Sequence, residues 1–198
     1  MHMASRYLML LAAPLLMTSG LWAQAPDRRE MDLAVTYTAQ HSNLVANPTF
    51  WQQGGSVEIS AQVHRGLGLA ANITGTNVGA AAGSGVGLTM VAETFGPRYT
   101  WYRANGLANR RSLAIFGQGL IGIAQGFNSY FPSNTGAMTD DTSFALQVGG
   151  GVDLGLSRHF ALRAIQADWI RTQFPNSTTN VQNNLRLAAG VVFRFQQR

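Results

Sequence analysis

Hydrophobic and polar residues alternate with a period of two along most of this chain, and the C-terminal stretch shows it most plainly. Leu185, Leu187, Ala189, Val191, Phe193 and Phe195 share one parity, and Asn184, Arg186, Ala188, Gly190, Val192 and Arg194 share the other. Such alternation predicts a β-strand with one greasy face, not a helix. A soluble sandwich turns that face inward and its charges to water. A membrane barrel does the reverse, with apolar groups to lipid and polar groups to the lumen.

Seven further segments behave similarly. Leu33, Val35, Tyr37 and Ala39 alternate with Asp32, Ala34, Thr36 and Thr38, and Val57, Ile59, Ala61 and Val63 alternate with Glu58, Ser60, Gln62 and His64. Leu67, Leu69, Ala71 and Ile73 form a third segment. Leu88, Met90 and Ala92 open a fourth, read here as its greasy parity, which runs on to Tyr102. Leu113, Ile115, Ile121 and Ile123 mark a fifth; Phe144, Leu146, Val148, Val152 and Leu154 a sixth; Phe160 to Gln173 a seventh. Each is close to the roughly 9–11 residues a tilted strand needs to cross a bilayer. Two break phase. Gly96-Pro97 is expected to interrupt the fourth, because proline cannot donate to a ladder. A β-bulge near Ala164-Ile165 would restore the seventh, where Gln166 and Asp168 otherwise fall on the apolar parity.

The gaps between segments alternate in length. Gln40 to Gly55, Gly75 to Gly85, Gly126 to Asp141 and Phe174 to Asn183 are the longer ones; Arg65-Gly66, Arg103 to Arg111 and Gly155 to His159 are shorter. Bacterial outer-membrane barrels have long external loops and short periplasmic turns. An immunoglobulin-like sandwich has no reason to alternate this way. Arg65, Arg103, Arg110, Arg111 and Arg158 all fall at the short turns, which predicts a basic periplasmic rim.

The N-terminus adds a compartment. Arg6 precedes the apolar run Tyr7 to Met17, and Ala23-Gln24-Ala25 is a small-residue cleavage site, the layout of a secretory signal peptide over residues 1–25. The run is too short to span a bilayer. Residues 26–198 are then the single exported domain. It carries no cysteine, so its stability must come from a core or a closed hydrogen-bonded sheet rather than from disulfides. Charged residues make up only 12% of the chain, about half the usual share. All 14 basic residues are arginine, but they are dispersed and the chain is exported, which argues against nucleic-acid binding.

Together the eight segments, the leader and the aromatic C-terminus resemble a small bacterial outer-membrane β-barrel. The resemblance is to the eight-stranded barrel domain of the outer membrane protein A type, without its periplasmic domain. Gly149-Gly150-Gly151-Val152-Asp153-Leu154 followed by Ser157 to Arg163 is similar to that family's penultimate hairpin. The tail Gly190 to Phe195 resembles its assembly signal, here followed by Gln196-Gln197-Arg198. The resemblance implies an all-β, eight-stranded, antiparallel up-and-down transmembrane barrel in the outer membrane of a Gram-negative cell. It implies that Phe193 and Phe195 are read by the barrel-assembly machinery. It also implies outer-membrane lipid and lipopolysaccharide as partners, a monomer, and no cofactor.

A barrel of eight strands is just wide enough to be filled by its own side chains. Glu58, Gln62, Glu93, Arg98, Gln118, Gln147, Asp153, Arg163, Asp168, Arg186 and Arg194 are expected in the lumen. Unpaired buried charge is costly, so they should form one connected polar network. That network is either a structural plug or a gated ion path, and the small bore favours the plug. The resemblance also admits a lipid-A-modifying barrel enzyme, which would need a serine, a histidine and an acid together near the outer leaflet, but such catalysis is not expected. His41 and Ser42 are adjacent and point to opposite faces, while His64 and His159 lie at short turns. No histidines and acids cluster at metal-ligand spacing. The aromatic pairs Phe50-Trp51 and Tyr130-Phe131 next to long loops suit either ligand contact or the interfacial girdle, and the girdle is the plainer account. A soluble lipocalin-like barrel is the rival fold; it would line its lumen with apolar residues.

Overall fold

A computed structural model describes residues 30–43, 49–81, 85–105, 110–133, 136–176 and 180–196. The expected leader, residues 1–25, lies outside the described residues. Eight long strands close into an antiparallel barrel. In chain order they are β1 (Glu30–Ser42), β2 (Phe50–His64), β3 (Leu67–Val78), β4 (Leu88–Asn105), β5 (Arg110–Phe127), β8 (Asp141–Gly155), β9 (Phe160–Thr172) and β10 (Gln182–Gln196). A short hairpin, β6 (Phe131–Ser133) with β7 (Gly136–Met138), sits in the longest connection. Each long strand pairs with its sequence neighbour, and β1 pairs with β10 to close the sheet. Closure removes the unpaired edges that an open sheet would present.

Sequence parity becomes radial direction. On β1, Ala34, Thr36, Thr38, Gln40 and Ser42 are buried inside, while Val35 and Tyr37 are exposed outside. On β10, Asn184, Arg186, Ala188, Val192 and Arg194 are buried, while Leu185, Leu187, Val191 and Phe195 are exposed. The outer surface is an apolar band that includes Ile59, Ile73, Phe95, Ile121 and Val148, each 47–59% exposed. This overturns the lipocalin-like alternative: charge lies inside and grease outside.

Turn chemistry fits the short connections. Arg65 (φ 44°) and Gly66 (φ 87°) join β2 to β3 in a two-residue turn whose central residues both have positive φ, the hairpin geometry that matches strand twist. A Cβ on Gly66 would lie 2.4 Å from the Thr100 carbonyl oxygen, so only glycine fits there. In β9, Ala164 and Ile165 are both outward, and the register shifts against both β8 and β10. This is the expected bulge, and it returns Gln166 and Asp168 to the lumen.

Three expectations need correction. Gly96-Pro97 does not break the phase of β4: Phe95 pairs with Ile121 and Arg98 with Gln118 in one unbroken register. Pro97 faces outward and β4 runs through it. The parity of the first half of β4 is the opposite of the expected one, with Leu88, Met90 and Ala92 inside. Their apolar character serves an internal cluster rather than lipid. Finally, the strands extend well into the stretches read as loops. Gln40 pairs with Gln52, and the first long connection spans only residues 43–49.

Candidate functional site

The lumen carries a continuous ion network. It is built by inward positions on seven strands, with the β9 bulge setting the phase of two members. Glu58 on β2 is its hub. Its Oε1 accepts from Arg98 Nη1 at 2.5 Å and from Arg163 Nη1 at 2.7 Å, and its Oε2 accepts from Gln118 Nε2 at 2.9 Å. Arg163 also grips Asp153 with two bonds, from Nε to Oδ1 at 2.9 Å and from Nη2 to Oδ2 at 3.2 Å. Such fork-on-carboxylate pairing is the strong form of the interaction. Arg98 lies 3.7 Å from the same carboxylate.

The network continues upward. Arg163 donates to Gln166 at 2.8 Å, and Gln166 donates to Asp168 at 2.9 Å. Arg186 donates to Asp168 from Nε at 3.1 Å and Nη2 at 2.8 Å. Its Nη1 reaches across the barrel to Asn72 at 3.0 Å and to Thr74. Asn72 donates in turn to Glu58 at 3.5 Å, so the chain of contacts closes on its hub. Three arginines face three carboxylates, and all six side chains are at most 4% exposed. Charge balance is what makes this burial tolerable, because each ion would otherwise cost several kcal/mol. Phe116 adds an aromatic face, with the Arg98 guanidinium carbon 3.6 Å and that of Arg163 4.6 Å from its ring centroid.

Above this network the lumen turns apolar. Phe50, Ala81, Leu88, Met90, Ala92, Ala124, Phe131, Ala145 and Phe174 form one buried cluster. The rings of Phe131 and Phe174 lie 5.4 Å apart. The short β6–β7 hairpin delivers Phe131 over the barrel mouth. There its ring fills the space beside Gly126, where a Cβ would lie 2.5 Å from Phe131 Cζ. Neither expected role for the aromatic pairs therefore holds for both members. Phe50 and Phe131 are buried inside at 8% and 1% exposure, and only Trp51 and Tyr130 are exposed, at 50% and 67%. Successive residues on a strand point to opposite faces, which splits the Phe50-Trp51 pair.

Of the expected lumen residues, the structure brings Glu58, Arg98, Gln118, Asp153, Arg163, Asp168 and Arg186 together. Gln147 is buried at the upper edge of this group and accepts from Thr94 at 3.0 Å. Gln62 is half-buried at the short-turn mouth, beside Asp32, and makes no part of the network. Arg194 is buried at that mouth, opposite Asp32 on β1. Glu93 is the clear correction: it faces outward, with Ile73 and Ile123 as its cross-strand partners. It shares the parity of Phe95, and because the phase runs unbroken through Gly96-Pro97, Arg98 points inward and Glu93 outward. Phe193 and Phe195 are on the outer face, with Phe193 edge-on to Phe160 at 5.4 Å. Sequence reasoning missed Asn72, Thr74, Gln166 and Phe116. Their lumen-side parity was visible, but nothing local to them distinguishes a network member from filler.

His41 points outward, its ring 5.1 Å from that of Trp51. His64 and His159 are exposed at the short-turn end. No group of three or more histidines and acids that could hold a metal occurs among the described residues.

No protein-family profile and no curated protein matches the chain. Solved structures do. The chain is similar to Ail, the attachment invasion locus protein of Yersinia pestis, with a TM-score of 0.56 at 15% identity, over 85% of this chain and 100% of that one. It is similar also to Neisserial surface protein A, with a TM-score of 0.57 at 13% identity, over 84% of this chain and 97% of that one. At such identities the likeness is one of fold. The chain has the fold of the small eight-stranded outer-membrane barrels.

Proposed function

We propose that this chain is an integral outer-membrane barrel with a structural role in the cell envelope, presenting its long loops at the surface. It is non-enzymatic, reaches the membrane through the leader at residues 1–25, and works as a monomer embedded in phospholipid and lipopolysaccharide. Its assembly passes through the barrel-insertion machinery, with Phe193 and Phe195 as the recognition signal. The single observation that carries the reading is the filled lumen beneath an apolar outer band. A neutral plug of Glu58, Arg98, Asp153, Arg163, Asp168 and Arg186 lies under an apolar cap. A solute path would need to break buried ion pairs and wet a Phe-lined cluster, each a separate barrier.

Purified protein reconstituted in a planar bilayer tests this directly. The expected outcome is no steady conductance steps. Discrete, long-lived openings would instead establish the rival reading, a narrow channel for ions or small solutes. Membrane residence is tested separately by gel mobility. The unboiled folded protein should run faster than the boiled protein and fractionate with membranes, and recovery in the soluble periplasm would remove the reading.

A further inference from the structure

We propose that the lumen binds a layer of ordered water between the ion network and the apolar cap, held by glutamine side chains on both sides of Arg186. The proposal concerns the interior and does not depend on what surrounds the barrel. Its basis is a set of buried polar atoms that lack a partner within the protein. Gln40 is unpaired at both Nε2 and Oε1. Gln52, its cross-strand partner, is unpaired at Nε2, while its Oε1 accepts from Thr76 at 3.0 Å. Gln147 is likewise unpaired at Nε2, while its Oε1 accepts from Thr94 at 3.0 Å. Thr38 Oγ1 and Asp168 Oδ1 are unpaired too, and all five residues are at most 1% exposed. Turning the amides over cures nothing. Gln40 lacks a partner at either atom, and turning Gln52 or Gln147 would strand its oxygen instead.

These atoms share one level of the barrel. Arg186 lies directly opposite Gln40 on one side and Asp168 on the other. The adjacent strands β2, β1, β10, β9 and β8 therefore carry the unpaired atoms in an arc around its side chain. Asp168 Oδ1 turns toward Gly149, where a Cβ would lie 2.3 Å away, and Gln147 stands two residues higher on that strand, on the same face. Phe50, Ala92 and Ala145 of the cap lie two residues above Gln52, Thr94 and Gln147. The cap roofs the arc, and the ion network is its floor.

The mixture of atoms identifies the ligand. A metal ion would need acceptors and an anion would need donors. Here amide donors on Gln40, Gln52 and Gln147 stand among acceptors on Gln40 and Asp168. Arg186 and Asp168 already neutralise each other at 2.8 Å, so the level carries no net charge to draw an ion. Water both donates and accepts, and a buried water typically makes about three hydrogen bonds to groups otherwise unpaired. Amides are not needed merely to fill this space. Leu120 and Ile170 pair with Gln147 on its two neighbouring strands and are buried at 0% and 1% exposure. A dry, unpaired amide would be costlier than the apolar side chains beside it.

The test uses the isotope-labelled chain folded in detergent micelles, with the glutamine side-chain amides assigned by triple-resonance NMR. Water bound beside an amide gives cross-peaks of opposite sign in the laboratory-frame and rotating-frame Overhauser spectra, whereas proton exchange gives peaks of equal sign. Opposite-sign peaks to water are expected at Gln40 or Gln52 on one side of Arg186 and at Gln147 on the other. Their absence on either side overturns the proposal. A second measurement separates wet amides from dry ones. Q40L/Q52L should leave the urea midpoint unchanged or lower it, because the leucines displace water that had satisfied the amides. A raised midpoint would mean that the amides were dry and unpaired, and it overturns the proposal. Should the double variant not fold, the spectra of the unaltered chain still decide.

Discussion

Arg163 and Glu58 stand 105 residues apart in sequence and 2.7 Å apart across the lumen. The contact joins the seventh long strand to the second, which are not neighbours in the sheet. It exists because the barrel closes. Glu58 at once serves Arg98, Gln118 and Asn72, so one carboxylate holds four strands in common.

Removing that hub should therefore be severe. Glu58→Ala leaves Arg98 and Arg163 facing each other without their shared acceptor, and should cost about 3–5 kcal/mol of stability. Glu58→Gln keeps an acceptor oxygen and should cost less. Urea unfolding in detergent, followed by tryptophan fluorescence and gel mobility, measures both. Equal and small effects would mean that the network is not a unit.

The apolar band predicts a depth dependence. Val148, at the middle of β8, is 47% exposed, and Val63, at the turn end of β2, is 59% exposed. Val148→Arg should destabilise the folded barrel in vesicles by about 2–4 kcal/mol, and Val63→Arg by about 0–1. Equal penalties would contradict a bilayer centred on the middle of the strands.

Glycines differ by face. A Cβ on Gly122 would lie 1.9 Å from the Glu93 carbonyl oxygen, while one on Gly119 meets nothing within 4 Å. Gly122→Ala should cost about 1–3 kcal/mol through forced strand separation. Gly119→Ala should be neutral or slightly stabilising. Parallel urea titrations decide the matter, and the reverse order would place the wrong glycine against the backbone.

Two layers close the lumen, so opening one should not open the barrel. Phe131→Ala removes a ring that packs on Phe174 and should cost about 3–5 kcal/mol. The bilayer should still show no conductance, because the ion network beneath is intact. Steady current from this variant would identify the apolar cap as the gate of a channel.

The first half of β4 shows where sequence reading stops. Alternation identifies a strand but says which face is which only when one face is polar. Leu88, Met90 and Ala92 oppose Thr89, Val91 and Glu93, so neither parity is clearly the lumen. The structure resolves it because the external mouth needs an apolar cap, and Phe131 arrives there from a hairpin more than 35 residues downstream of Ala92. Glu93 is left on the outer face between Ile73 and Ile123, six residues into β4.

By itself the sequence determined the eight strands, the inward and outward faces of β1, β2, β8 and β10, the alternation of long and short connections, and the bulge at Ala164-Ile165. All of these are local, set by a period of two and by turn-forming residues within a few positions of one another. Tertiary structure alone decided the pairings: Arg163 with Glu58 and Asp153, Arg186 with Asp168 and Asn72, and Phe131 with Phe174 over the mouth. Which inward side chains share a level depends on how far the strands are staggered when the sheet closes. That stagger is a property of the whole barrel, carried by no single segment.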